Sequence, residues 1–273
     1  MSRLIPRFGL AFVLASLPLA AKPGGMPNVV PSYMKDAPSS SASEPWNPAF
    51  SMAYLEGATP KDGSEIFAFG VEQDVPALSD TSFFFRQSEQ DDHQIERLRI
   101  LIDNNVQPLV AEFKLGPNMG RIDLLGQVCL EKFSPVRAVA TVADGSHFAA
   151  GRYIESSQVC RNLKGSPSET GAAEISVSFL DLDTPTGGMR SARLEFAMPT
   201  DMQALTNQSE GTCRVYAMID ETLLFDMLGE SNSVCGKSIG FNFVGSAGKT
   251  LTISAEFGGD VAVERVIALD DTN

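Results

Sequence analysis

The sequence predicts an all-β protein made of two small sandwiches in tandem. Beyond about residue 60 the apolar residues come in short runs broken by Gly, Pro, Asp and Asn, and no amphipathic helical pattern separates the runs. The runs also fall into two groups divided by a polar stretch, and 273 residues leave room for one large domain or two small ones.

Residues 1–21 are expected to be an export signal. Arg3 and Arg7 give a positive start, Phe8 to Leu19 is apolar, and Ala20-Ala21 supplies small residues for cleavage near Ala21. Lys22-Pro23-Gly24-Gly25 stops the apolar run short of the roughly 20 residues a membrane span needs, so no membrane insertion is expected after cleavage. Residues 22–60 are rich in Pro, Ser, Gly and Ala, with Ser39-Ser40-Ser41-Ala42-Ser43 at the centre. They read as a flexible leader that touches down at Trp46 and Phe50.

The first domain, 61–160, carries strand candidates at Glu65 to Val71, Thr81 to Arg86, Ile95 to Asp103, Leu109 to Leu115, Leu124 to Phe133, Val136 to Val142 and His147 to Glu155. Residues 161–186, with Lys164-Gly165-Ser166-Pro167-Ser168, read as a linker. The second domain, 187–273, carries strand candidates at Arg190 to Met198, Cys213 to Ile219, Leu223 to Leu228, Ser238 to Val244, Thr250 to Glu256 and Val261 to Leu269. Asp220-Glu221-Thr222 and Gly258-Gly259-Asp260 read as hairpin turns. Two sets of six or seven strands, each about 90 residues long, fit immunoglobulin-like sandwiches, with one continuous barrel as the alternative.

The formal charge of −13 becomes −15 when the signal leaves with its two arginines and no acid. A surface this acidic argues against nucleic acid or an anionic membrane as partner. Only two histidines, His93 and His147, are present, and no paired CxxC or HExxH, so no metal site is expected. Gly236-Lys237-Ser238-Ile239-Gly240 has the letters of a nucleophile elbow, but no histidine follows Ser238 and a strand is predicted there. Gly229 stands two residues too far from Gly236-Lys237-Ser238 for a phosphate loop. Asp91-Asp92 and Asp270-Asp271 read as solvated turn and tail charges. The residues therefore point to no enzyme; a cleft gathering acids near His93 or His147 would be the mark of one.

Chemistry is concentrated in Cys129, Cys160, Cys213 and Cys235. An exported protein meets oxidants, and four cysteines allow three pairings. Cys213 and Cys235 lie about twenty residues apart across a strand-turn-strand passage, where a bridge would stabilise the fold by about 3 kcal/mol. For Cys129 and Cys160 two readings stay open. They are bonded to each other, or Cys160, at a strand end facing a polar segment, is a free thiol whose thiolate takes up a group.

Several stretches carry a family resemblance: Asp74-Val75-Pro76-Ala77 with Asp80, Ile100-Leu101-Ile102-Asp103-Asn104-Asn105, Pro108-Leu109-Val110-Ala111, Ser134-Pro135-Val136-Arg137-Ala138-Val139-Ala140 with Asp144-Gly145, and Arg152-Tyr153-Ile154 leading to Cys160. They resemble the SoxY half of the fused SoxYZ-like carriers, found with sulfur oxidation and with quinoprotein dehydrogenases. Gly188-Met189-Arg190, Arg193-Leu194-Glu195 with Met198, Phe241-Asn242-Phe243 and Gly248-Lys249-Thr250-Leu251 resemble the SoxZ half more weakly. The resemblance implies a periplasmic protein with a carrier cysteine, here Cys160, on a mobile arm. It also implies redox or sulfur-oxidising partner enzymes, and no cofactor beyond a covalent sulfur adduct on Cys160. The chain departs from the family where Gln158-Val159 replaces two glycines before the cysteine, where Arg161-Asn162 follows it, and at Ala197, where the family has a histidine before Pro-Met. Val159 is stiffer and bulkier than glycine in a narrow partner channel. A non-catalytic accessory protein of the same fold, with Cys160 in a disulfide, is the alternative expectation.

Overall fold

The computed structural model describes residues 48–72, 81–128, 130, 134–154, 166–167, 173–180, 189–198, 212–230, 238–257 and 261–270. One short helix, α1 (Pro48–Leu55), precedes β1 (Lys61–Asp62), β2 (Phe67–Val71), β3 (Thr81–Gln87), β4 (Ile95–Ile102) and β5 (Leu109–Leu115). A 3₁₀ turn at Pro117–Met119 leads to β6 (Asp123–Val128), β7 (Ser134–Val142) and β8 (His147–Ile154). The chain continues with β9 (Ser166–Pro167), β10 (Glu174–Leu180), β11 (Met189–Met198), β12 (Thr212–Ile219), β13 (Thr222–Glu230), β14 (Ser238–Val244), β15 (Thr250–Phe257) and β16 (Val261–Ala268). The fold is all-β, as the sequence predicts, and no helix among the described residues is long and apolar enough to cross a membrane.

The strands form two sheets packed face to face. The larger runs β1-β8-β7-β4-β5-β13-β12-β15-β16, and the smaller β10-β11-β14-β6-β3-β2 with β9 beside β11. Strands of residues 61–160 therefore pair with strands of residues 187–273 in both sheets. In the larger, β5 pairs with β13 from Leu115↔Phe225 to Ala111↔Gly229. In the smaller, β6 pairs with β14 at Leu125↔Gly240 and Leu124↔Phe241. The core follows the same course. The ring of Phe113 lies 6.3 Å from that of Phe225, which lies 5.0 Å from Phe241, and all three side chains are buried.

Gly116 sits on this seam. Its N–H donates to the Leu224 carbonyl at 2.6 Å, and a Cβ there would come within 1.9 Å of the Leu223 carbonyl oxygen. Only glycine allows the backbones that approach.

Two expectations need correction. Within the stretch read as a flexible leader, residues 48–55 form α1. The helix closes with Glu56 and Gly57 at positive φ and a Gly57 N–H bond to the Ser51 carbonyl. It is held because Leu55 is fully buried against Leu101, Val139 and Ala149 on the outer face of the larger sheet, and Arg99 Nη1 donates to the Tyr54 carbonyl. Burying that leucine contributes roughly 2 kcal/mol. This cover explains why Ile100, Leu101 and Ile102 are all buried in succession, where a sheet with one wet face would alternate.

The second correction concerns the stretch read as a linker, in which Glu174–Leu180 forms β10 and pairs with β11 along its whole length. Ile175, Val177 and Phe179 alternate with Glu174, Ser176 and Ser178, and Ile175 is 7% exposed. The period-2 signal was present, but the flanking polar residues masked it. The strand expected over Leu124 to Phe133 ends at Val128. The hairpin turn at Asp220 is present, with Asp220 at φ +52 and its carboxylate accepting from Lys249 Nζ and the Thr250 N–H. The Gly258-Gly259-Asp260 turn lies outside the described residues.

Candidate functional site

The registers place one end of the sandwich in focus. Ser134 at the start of β7 pairs with Ile154 at the end of β8, and Val136 with Ile102 near the end of β4. Thr212 at the start of β12 pairs with Glu230 at the end of β13, and the start of β14 lies beside the end of β6 by the antiparallel pairing at Gly240↔Leu125. The strand ends from which the chain runs on to Cys129, Cys160 and Cys235 thus all belong to one pole, although these three cysteines lie outside the described residues. Cys213, near the start of β12, also belongs to this pole. It is 1% exposed and disulfide-bonded to a partner outside the described residues.

A clamp braces the β8 side of this pole. Arg137 on β7 donates to both carboxylate oxygens of Asp103, Nε at 3.0 and 2.9 Å and Nη2 at 2.7 Å. The side chains are 5% and 16% exposed. The Asp103 N–H donates to the Pro135 carbonyl at 3.1 Å, and the Asn104 N–H to Ser134 Oγ at 3.0 Å. The two stretches Ile100 to Asn105 and Ser134 to Ala140, distant in sequence, therefore meet, and they tie the end of β4 to the start of β7. A bidentate, charge-assisted pair fixes geometry as well as adding energy. The chain leaves Ile154 toward Cys160 from beside this braced corner.

On β8, Arg152 pairs across from Val136 on β7. The alternation of Phe148, Ala150 and Ile154 into the core puts Arg152 on the side that faces the smaller sheet. Its Nη1 donates to its own Gly151 carbonyl at 2.7 Å, and its Nε is sealed from solvent without a partner. Burial pushes its guanidinium down from the ordinary arginine value. Tyr153, on the opposite side of the strand, is 37% exposed.

The histidines lie at the other pole, near the β7–β8 turn. β8 has eight residues, so the two poles are about 23 Å apart at the rise of a strand. Asp91, read from sequence as a solvated turn charge, is in fact buried at 8% exposure. It accepts from Gln87 Nε2 at 2.7 Å and pairs with His93 Nδ1 at 2.5 Å, and Gln87 Nε2 also reaches the His93 carbonyl at 2.7 Å. Burial alone would raise the Asp91 carboxyl; the hydrogen bonds from His93 and Gln87 outweigh it and hold the group below its ordinary range. The pattern Gln-x-x-x-Asp-x-His was a readable signal for this cluster, missed because adjacent aspartates look like a turn. His147 bonds Thr141 Oγ1 at 3.0 Å, and burial pushes it down, helped by Arg99 and Arg97 and opposed by Glu56.

Ser238 opens strand β14 and pairs with Glu195, so the Gly-Lys-Ser-Ile-Gly letters do not form a strand-to-helix elbow. Among the described residues no three His, Cys, Asp or Glu side chains gather as metal ligands. Asp270 is exposed, and its carbonyl accepts from Arg190 Nη2 at 2.6 Å.

Residues 78–160 match the family model of "Sulfur oxidation protein SoxY", and the match ends on Cys160. That stretch is SoxY-like; it covers less than half of the chain. No curated protein matches the chain. Among solved structures, a β-glycosidase from Bacteroides vulgatus is similar at 6% identity and TM-score 0.24, over 74% of this chain and 24% of that one. A β-glucuronidase from Parabacteroides merdae is similar at 8% identity and TM-score 0.23, over 74% of this chain and 25% of that one. The chain spans about a quarter of the length of these two enzymes, and likeness this low bears neither on its fold nor on its function.

Proposed function

We propose that the chain is an exported, periplasmic carrier that holds a sulfur intermediate on Cys160 and presents it to partner enzymes of sulfur oxidation. One observation carries the reading: the SoxY-like stretch ends at residue 160, six residues in sequence beyond Ile154, and it is Ile154, the end of β8, that lies beside the corner braced by Asp103 and Arg137. A thiolate is the nucleophile that accepts a sulfur group. The partners are redox or sulfur-oxidising enzymes, and the adduct is the only group the protein carries. Cys213 is paired with Cys235 in this reading, through the passage joining β13 to β14, which leaves Cys160 for chemistry.

One observation favours a second reading. The end of β6, just before Cys129, lies at the same pole as the end of β8. A Cys129–Cys160 bridge would make the chain an accessory protein without cargo, and Gln158-Val159 in place of glycines suits that role. The test is peptide mapping of the non-reduced protein recovered from its export compartment in cells oxidising thiosulfate. The carrier reading expects a Cys160 peptide heavier by a sulfur or sulfur-oxyanion group; a peptide joining Cys129 to Cys160 would overturn it and support the accessory reading.

A further inference from the structure

Independently of the carrier reading, we propose that His93 and Asp144 form a surface site for one divalent transition-metal ion of the zinc class, at the pole opposite the strand ends that lead to the cysteines. The case starts from the pair of Asp91 with His93. Asp91 is buried yet held below its ordinary range, so at neutral pH it is ionised and only accepts hydrogen bonds. The His93 Nδ1 that meets its Oδ1 at 2.5 Å therefore carries the ring proton, and the lone pair of the neutral imidazole falls on Nε2.

The ring is fixed but open. Gln87 Nε2 donates to Asp91 Oδ2 and to the His93 carbonyl, both at 2.7 Å, while Gln87 Oε1 accepts from the Ile122 N–H at 3.3 Å. The ring of Phe148 packs against the imidazole, with 5.4 Å between centroids. The His93 side chain is nonetheless 46% exposed, and no described residue bonds its Nε2. A carboxylate behind a histidine sets the tautomer, orients the ring and raises the basicity of the outer nitrogen, which is what a metal ligand needs.

Asp144 supplies the second ligand. Ile95 pairs with Val142, and the Ala143 N–H donates to the Gln94 carbonyl at 3.0 Å, so one further step of the same register sets His93 opposite Asp144. Residues directly opposed across two strands have Cβ atoms about 5 Å apart, within reach of a shared ion. The Ser146 N–H donates to Asp144 Oδ1 at 2.7 Å and orients the carboxylate. Hydrogen bonds from Ser146 hold Asp144 below its ordinary range, with smaller help from the charges of Lys61 and His93. The Lys61 ammonium is itself engaged by Ser146 Oγ at 3.1 Å and lies over the Phe148 ring. Two protein ligands leave the other positions to water, so the ion is exchangeable rather than structural. An imidazole with a carboxylate favours zinc over magnesium, which takes oxygen ligands alone.

The mature chain, with its free thiols alkylated so that no thiolate competes, is titrated with zinc chloride and with magnesium chloride. The imidazole nitrogens are followed by long-range ¹H–¹⁵N NMR. With two histidines in the chain, His93→Gln assigns both sets of signals. The proposal expects a saturable, one-to-one shift of His93 Nε2 with zinc, no such shift at His147, and none with magnesium. Asp91→Asn should weaken binding by about tenfold through the ring it orients. Asp144→Asn is the safer variant for folding, since the position is exposed and asparagine still accepts from the Ser146 N–H; it too should weaken binding clearly. Asp92→Asn removes the same charge from the exposed neighbour of His93 and should leave binding nearly unchanged. Equal shifts at both histidines, or equal weakening by Asp92→Asn and Asp144→Asn, would mean an adventitious ion only, drawn to an acidic surface, and overturns the site. So does a response to magnesium, or no saturable shift with zinc.

Discussion

Arg137 on β7 holds Asp103, just past the end of β4, through both its Nε and its Nη2, at 2.7 to 3.0 Å, with only 5% of the arginine side chain exposed. The pair sits where two stretches singled out in the sequence come together, and it braces the corner from which the chain runs to Cys160.

Removing one partner should therefore cost more than removing both. Asp103→Ala removes the carboxylate that grips a buried guanidinium, and a loss of roughly 3 kcal/mol is expected from the urea midpoint. Pairing it with Arg137→Met should recover about 1 kcal/mol or more relative to the sum of the single variants. Additive effects would mean the two side chains do not act as a unit.

The seam predicts one cooperative unit rather than two. Both sheets run through β5–β13 and β6–β14, and Phe113, Phe225 and Phe241 pack across it. Native-state hydrogen exchange should give the amides of β4 and β7 the same opening free energy as those of β12 and β15. Phe225→Ala should lower both sets together by roughly 3 kcal/mol or more. Gly116→Ala should do the same by about 1–3 kcal/mol, since the Leu223 carbonyl is backbone and cannot step aside. Protection lost in one set alone would contradict a shared unit.

Stability should depend on pH in two separate windows. His147 titrates below its ordinary 6.5 in the folded protein, so the unfolded chain takes the proton first. Stability therefore declines as pH falls through 6.5 toward the lower folded value, and is unaffected above it. His147→Gln should remove this decline from a series of denaturant midpoints. Asp91 is held below 3.8 in the folded state, so the stability it lends is complete above that value and lost as pH falls through the folded value. Asp91→Asn should flatten the acid limb while leaving the His147 window in place. A variant profile parallel to the wild type in its window would contradict the assignment.

Much of the sheet was legible because strand runs such as Leu109–Leu115 and Ser238–Val244 are short, apolar and bounded by turn residues. What escaped was information carried by tertiary partners. β10 is a period-2 strand hidden in polar surroundings, recognisable once β11 lies beside it. α1 has little intrinsic helical signal and is held by the apolar patch of Leu101, Val139 and Ala149. The pairing of β5 with β13 joins residues more than a hundred positions apart, and no local pattern encodes it. At the candidate site, the sequence singled out Asp103, Arg137 and Arg152 as parts of a resemblance. That Asp103 and Arg137 form a pair while Arg152 is left without one depends on which strands are neighbours. Asp91 was misread for the same reason, since its burial comes from Gln87 and His93 folding over it.

The central claim is that Cys160 is a free, chemically available thiol, and intact-mass measurement after alkylation of the native, non-reduced protein tests it most directly. The account predicts one or two alkylations, one of them mapping to Cys160 or replaced there by the added mass of a sulfur adduct, with Cys213 protected in its disulfide. No alkylation, with Cys160 recovered in a disulfide-linked peptide, would contradict it.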